Sequence, residues 1–557
     1  VNSRGSRLQR AAALVCALPL LAACGAPEVA IAPEPAARPA PGEVTVPPVE
    51  RAGQPNVLMV MTDDMRYDEL RYLPHVREFI ADRGTDFTNS FAPTPLCCPN
   101  RASFLTGEFP HNHGVWWHEE PWGYGSFDDS RTLAGALQHA GYSTGYVGKY
   151  LNRYGIAAPK AAPGAAPSTY VPAGWDEWRA TPDAVPVPSW DPLAGSTYDY
   201  FDTTVNVNGT LEPHQGEYSS QVLVNEGIDV LDRFAGGTEP WFLQINSLAP
   251  HHGAPFEPDD PFLETPARPD WVKDRFDAEI PRAPGIPPNG VSPEADVSDK
   301  AEITSRHRDP GPGAQHAVRE TARQRAESLF ALDRHLARLF RELKASGEYD
   351  DTVVVFTSDN GYLLGEHRWV SGKVIGFEPS YRVPLLIAGP GVPAGERVDP
   401  VTTVDLTASI LDWADARLRK ADGISFVDDL EGSSGWTRAI GYESYLPSIA
   451  NLHDVRGFDG PQTAIGIRTA QYFYVKYSSG EVELFDLERD PLEMESRADD
   501  PAYADVRRDL NAAWRKFHDC AGAHCDIALP PSLSADEDRA TELRNRLQTS
   551  TREFYGD

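Results

Sequence analysis

The sequence predicts an α/β fold: a large, mostly parallel sheet flanked by helices, with a smaller antiparallel sheet subdomain toward the C-terminus. Three observations carry this. Short unbroken apolar runs, Asn56–Thr62 and Thr352–Thr357 among them, suit strands buried on both faces of a parallel sheet. Helical periodicity falls between such runs, with Leu329, Leu332, Leu336, Leu339, Phe340 and Leu343 three and four residues apart. Beyond about Ile440 the pattern becomes short alternating stretches, Gln471–Tyr477 and Glu483–Leu487 around a Ser478-Ser479-Gly480 turn. At 557 residues the chain is too long for one core, so a large domain with a small companion is expected.

In chain order, Arg4, Arg7 and Arg10 precede an apolar run from Ala11 to Ala23, the pattern of a secretory signal and too short for an ordinary transmembrane helix. The run ends in Leu21-Ala22-Ala23-Cys24-Gly25, which resembles a bacterial lipoprotein processing site with Cys24 as the lipid-modified terminus. Cleavage of a plain signal among the alanines is the alternative. The expected layout is a lipoprotein signal peptide at 1–24, an Ala/Pro-rich tether at 25–55, a main domain at 56–440, a small subdomain at 441–527 and a charged tail at 528–557. An exported protein follows, anchored to a bacterial cell envelope through Cys24 or secreted.

Within the main domain, Asp63 and Asp64 follow the first strand directly. Leu133, Ala134, Leu137 and Ala140 read as a helix, and Ser143–Gly148 as a strand delivering Lys149. Trp241–Ser247 delivers His251, and Thr352–Thr357 delivers Ser358-Asp359-Asn360-Gly361. The stretch from Pro255 to Ala322 is Pro-rich and acidic without periodicity and reads as long surface loops. Ligands of parallel sheets bind beyond the carboxyl ends of the strands, where Asp63, Asp64, Lys149, His251, Asp359 and Asn360 all fall. Among the cysteines, Cys520 and Cys525 suit a local disulfide in an oxidising compartment, the competing reading being a metal site with His518 and His524.

With 82 acidic against 51 basic residues the net charge is -31, which repels nucleic acid and anionic lipid. An anionic substrate therefore needs its basic groups concentrated in one pocket. Two adjacent carboxylates and an Asp-Asn pair offer the hard oxygens that calcium or magnesium takes, although each pair alone is also a common turn sequence.

The run Cys97-Cys98-Pro99-Asn100-Arg101-Ala102-Ser103-Phe104-Leu105-Thr106-Gly107 resembles the sulfatase signature, in which the cysteine of Cys-x-Pro-x-Arg is oxidised to formylglycine before folding. Asn56–Asp64, Gly148–Asn152, Thr357–Gly361 and Glu483–Pro491 are similar to further motifs of that family, so the likeness spans roughly residues 56 to 525. It implies an alkaline-phosphatase-like fold. The doubled Cys97-Cys98, Gly148–Asn152 and Leu363–His367 look most like the N-acetylglucosamine-6-sulfatase branch, which acts on sulfated glycans.

The resemblance implies hydrolysis of sulfate monoesters on sulfated sugars or glycans, and maturation by a formylglycine-generating enzyme. It implies calcium, with magnesium as the alternative, held by Asp63, Asp64, Asp359 and Asn360 together with residue 97. One hydroxyl of a hydrated formylglycine attacks sulfur, and the second, by losing its proton, expels sulfate as a serine could not. Arg101 steadies the hydrate, Lys149 and Lys373 bind sulfate oxygens, and His251 protonates or orients the leaving oxygen. His252 is the rival to His251, while His113 and His367 are either wall residues or ordinary loop histidines. Two departures stand out: Asn100 where the family usually has Ser or Ala, and Leu151 where many members have a histidine. Phosphodiester or phosphonate hydrolysis on the same metal site is a second reading. A non-catalytic surface lipoprotein that binds sulfated glycans through an unmodified Cys97 is a third.

Overall fold

A computed structural model describes residues 53–186, 192–446 and 462–556. The signal peptide, Cys24 and nearly all of the tether lie outside the described residues. Ten strands form the main sheet. Their order is Gly395–Arg397, Thr85–Phe87, Leu385–Ala388, Thr352–Ser358, Asn56–Thr62, Trp241–Asn246, Ser143–Lys149, Glu177–Thr181, Thr204–Val207 and Thr210–Pro213. The five strands from Thr352–Ser358 to Glu177–Thr181 run parallel, the pairings that join the strands outside them are antiparallel, and only the outermost pair, Gly395–Arg397 with Thr85–Phe87, is again parallel. The expected parallel sheet is thus the centre of a mixed one.

Alternate residues of the central strands feed two separate cores. Leu58, Val60, Val354 and Phe356 pack with the helices Ser219–Phe234 and Pro312–Ala345. Val57, Met59, Val353 and Val355 pack on the other face with Phe104, Leu133, Leu137 and Ile410 from three further helices. Burial on both faces is why these strands read as unbroken apolar runs.

The long helix Pro312–Ala345 begins well before the apolar stripe that announced it, so residues 312–322, expected as loop, are helical. Pro312 opens the first turn, where its missing N–H costs nothing, and the inward positions of that half are Ala317, Val318, Thr321 and Ala322, too small to leave an apolar pattern. From Pro255 to Gly311 the chain is irregular apart from short turns at Asp270–Val272 and Glu302–Ser305.

The C-terminal strands Ile440–Leu446, Gln462–Arg468, Tyr472–Tyr477 and Val482–Asp486 form an antiparallel meander closed by the helix Ala504–His518. Phe517 of that helix sits against Gly441, where a Cβ would fall 2.0 Å from the ring. Cys520 and Cys525 form the expected disulfide. The charged tail folds into the helix Glu537–Tyr555, capped by Asp536 and docked through a buried Tyr555. Among the described residues no helix is long and apolar enough to cross a membrane.

Candidate active site

Register places the functional side chains. Met61 and Thr62 pair with Thr357 and Ser358 on one side, and Met61 pairs with Asn246 on the other, so Asp63, Asp359 and the turn to His251 leave the sheet at one edge. Gly148 pairs with Asn246 and brings Lys149 to the same edge. Over it lies the ten-residue helix Cys97–Thr106, buried throughout and ended by Gly107 in the left-handed region at φ 68°. Cys97 is its first residue, so the positive end of the helix dipole faces the strand ends, a favourable place for an anion.

Cys97 Sγ lies 3.4 Å from Asp63 Oδ1 and 3.8 Å from Asp64 Oδ1. Lys149 pairs with Asp63, and Lys373 pairs with Asp64 while placing Nζ 2.8 Å from Cys97 Sγ. Arg101 donates from Nε to Asp359 Oδ2 at 2.7 Å and from Nη1 to the Lys149 carbonyl at 2.9 Å. Asn360 Nδ2 donates to Asp64 Oδ1 at 2.7 Å, and the Asp64 N–H donates to Asp359 Oδ1 at 3.1 Å. Asp64 holds φ 69°, a strained backbone for a residue with a Cβ, of the kind that collects at functional sites. His251 Nε2 is 3.8 Å from Asp64 Oδ2, and its Nδ1 lies 2.8 Å from the His252 carbonyl.

Burial opposes ionisation of Asp63, but Lys149 above all, then His251, Arg101 and Lys373, hold its carboxyl well below the usual range. Burial likewise opposes ionisation of Asp64, and Lys373 and His251 bring it to about 2. Asp359 goes the other way, raised to about 6 by burial and by the charge of Asp63. Burial and then Asp63 push the Cys97 thiol well up, so as a plain cysteine it is protonated at neutral pH. Burial lowers His251, with His252 adding to the effect.

All nine predicted site residues, Asp63, Asp64, Cys97, Arg101, Lys149, His251, Asp359, Asn360 and Lys373, converge here. Ligating atoms of Asp63, Asp64, Cys97 and His251 lie within 4.8 Å of one another. Asn360 Oδ1 is buried with no hydrogen-bond partner among the described residues, a costly state that a cation would relieve, and the donor set of hard oxygens suits calcium or magnesium. Asp359 has both oxygens engaged by protein donors.

His252 stands behind His251, ring centroids 4.1 Å apart. His113 stays outside, its Nε2 on Ser103 Oγ at 3.0 Å and its Nδ1 accepting from the Val115 N–H at 3.0 Å. His367 pairs with Glu294 at 2.7 Å and stacks on Phe377. Asn100 donates from its side chain to the Asp359 carbonyl, which ties the signature helix to the strand end opposite. Leu151 lies in the core below Tyr124 and Tyr150.

Two residues escaped the sequence reading. Tyr198 lays its ring 5.1 Å from Lys149 Nζ and 5.3 Å from the His251 ring, and His118 faces the cleft above the site. Both sit on loops with no periodic signal. The cleft holds about 280 Å³ and is lined by Asp64, His251 and Lys373 at its floor.

Comparison with known proteins agrees with this geometry. A family model described as sulfatase matches residues 55–416, and one described as N-sulphoglucosamine sulphohydrolase, C-terminal, matches 365–519. The chain is 30% identical over 402 residues to the N-acetylglucosamine-6-sulfatase of Homo sapiens, covering 69% of this chain and 66% of that one. It is 29% identical over 374 residues to an extracellular sulfatase SULF-1 homolog of Drosophila melanogaster, 65% of this chain but only 30% of that much longer protein. To the choline-sulfatase of Rhizobium meliloti it is 28% identical over 85% of this chain and 88% of that one. Two solved structures share the fold. A protein in complex with its substrate D-glucosamine-2-N,6-O-disulfate has a TM-score of 0.61 at 22% identity, covering 84% of this chain and 97% of that one. A phosphonate monoester hydrolase from Silicibacter pomeroyi has 0.64 at 22% identity, covering 87% and 100%.

Proposed function

The chain belongs to the sulfatase family, and we propose that it hydrolyses sulfate monoesters, on sugars or glycans, at the cleft above Cys97. The observation that carries this reading is the meeting of Asp63, Asp64, Lys149 and Lys373, from separate strands and loops, around the first residue of the signature helix. On this reading residues 56–440 form the catalytic domain and 441–527 a supporting subdomain.

Asp63, Asp64, Asp359 and Asn360 would hold calcium, or magnesium, with residue 97. A formylglycine at 97, installed by a formylglycine-generating enzyme, supplies an activated hydroxyl and the metal supplies the charge that acidifies it. Lys149 and Lys373 take the sulfate oxygens, buried enough that each charge acts in a low dielectric. Arg101 holds residue 97 against Asp359. His251 presents Nε2 to the cleft, with Nδ1 fixed by the His252 carbonyl, and orients or protonates the departing alcohol oxygen. Asp63, Asp64, Cys97, Arg101, Lys149, His251, Asp359 and Asn360 are buried, while Lys373 is partly exposed to the cleft. The signal-like N-terminus and the extracellular relatives support export, with Cys24 as a lipid anchor.

Mass spectrometry of the peptide containing Cys97, from protein made alongside a maturing enzyme, should show the aldehyde. The matured protein should cleave a chromogenic sulfate ester faster than the matching phosphodiester. A thiol at 97 after such expression would undo the mechanism, and a preference for phosphorus would move the chain to the phosphodiesterase or phosphonate hydrolase reading.

A further inference from the structure

The cleft above Cys97 must also hold whatever carries the sulfate, and its walls are lopsided in charge. Among the described residues that line it, lysine appears only at the floor, as Lys373, and there is no arginine. At the mouth stand Glu119 and Glu264, both exposed. Glu264 has 3.4 Å to His252 Nε2 as its ion-pair contact, and that ring lies tilted against His251 with centroids 4.1 Å apart. Between floor and mouth lies His118. Its Nε2 is shielded from solvent and has no hydrogen-bond partner among the described residues, while its ring stacks near Trp117 with centroids 5.3 Å apart at 24°. A shielded ring nitrogen left unpaired is costly, and a ligand hydroxyl that reached it would remove the cost.

Resting on the sulfatase reading above, we infer that the cleft selects a sugar carrying one sulfate and no other charge. A sugar hydroxyl bonds to His118 Nε2, and Glu119 and Glu264 repel a second anionic group. The first sulfate occupies Lys149 and Lys373, which leaves no lysine or arginine among the described lining residues for another. Charges act over ~8 Å at physiological salt, and Glu119 and Glu264 line the same cleft in which a second sulfate on the ring would have to sit. The net charge of -31 acts in the same sense on any polyanionic chain that approaches. Burial, then Lys373 and Lys149, hold His118 down at about 3, so its ring is neutral and able to accept or donate a single hydrogen bond. Trp117 supplies an apolar surface for the C–H face of the sugar.

The test separates binding from turnover. Calorimetry on the calcium-loaded Cys97→Ala protein compares N-acetylglucosamine-6-sulfate with glucosamine-2-N,6-O-disulfate at low salt. The monosulfate should bind roughly tenfold tighter, as one added like-charge contact in a partly solvated cleft implies. The preference should shrink in a Glu119→Gln/Glu264→Gln double variant and in high salt. His118→Ala should weaken the monosulfate several-fold, with His118→Gln restoring part of the loss. Equal or tighter binding of the disulfate, absence of binding by either sugar, or an unchanged affinity in His118→Ala would overturn the inference. Turnover of a chromogenic aryl sulfate by the matured wild-type protein reports separately on the sulfatase reading, since that substrate carries no second charge for the mouth to reject.

Discussion

Lys373 Nζ lies 2.8 Å from Cys97 Sγ and pairs at the same time with the carboxylate of Asp64, so one ammonium bridges the reacting residue and an expected metal ligand. A cation there that also reaches a substrate oxygen stabilises charge as it develops. Lys373→Ala should lower kcat/KM on a chromogenic sulfate by about 10²- to 10³-fold. Lys373→Arg should not restore it, because a planar guanidinium cannot replace a point charge in so narrow a space. Steady-state kinetics on matured protein decide this.

Metal removal should cost both activity and stability. Asp63 and Asp64 set two carboxylates side by side, each paired with one lysine, and Asn360 Oδ1 is buried without a hydrogen-bond partner among the described residues, so a bound cation should add to the stability of the folded state. At a hundredfold excess over Kd, bound calcium should add about 2.7 kcal/mol to unfolding stability. A chelator should lower the melting temperature of the wild type, calcium should restore it, and Asp64→Ala should respond to neither.

A buried ion pair joins the turn Pro110–His113, after the signature helix, to the strand Ile440–Leu446 of the C-terminal antiparallel sheet. His111 pairs through Nδ1 with Glu443 and places Nε2 2.9 Å from the Cys520 carbonyl. Burial disfavours the charged ring, but the hydrogen bond to Glu443 outweighs it and raises His111 to about 9. A histidine raised in the folded state contributes stability that is complete below its unfolded value of about 6.5 and is lost as pH climbs through the folded value. Denaturant unfolding should therefore show roughly 2 kcal/mol of stability lost between about pH 6.5 and pH 9. Glu443→Gln should flatten that dependence.

Gly441 offers a test of subdomain packing. Alanine there would drive its Cβ into the Phe517 ring, so Gly441→Ala should destabilise by about 1–3 kcal/mol, with partial relief from Phe517→Leu. Equal melting temperatures for wild type and Gly441→Ala would refute the contact.

The centre of the fold was legible because it is buried on both faces. Asn56–Thr62, Trp241–Asn246 and Thr352–Ser358 carry apolar residues at consecutive positions, with Asp63 and Asp359 directly past the first and third and His251 a short turn past the second. Margin strands such as Thr85–Phe87 and Thr210–Pro213 are three or four residues long, and Thr210–Pro213 is mostly exposed, so no pattern announced it. The first turns of Pro312–Ala345 were lost for a related reason, since alanine fills the inner face there without advertising it.

The site was legible in so far as its residues follow strands or stand in a dense motif. Cys97, Arg101 and the two acid pairs meet that condition. His118 and Tyr198 do not. Each reaches the site, Tyr198 against Lys149 and His251 and His118 at the cleft, only through the path of a loop, which local sequence does not encode. Asn100, a departure from the family pattern, gained a reason only once its partner, the Asp359 carbonyl, was beside it.

The burial of all ten residues of the signature helix sets a race. On the proposed maturation, an enzyme that must reach Cys97 has no access to it once those turns close over the sheet. The fraction of active molecules would then be set by the competition between the arrival of that enzyme and the collapse of the chain, and mixing the enzyme with folded protein afterwards should not recover what was missed.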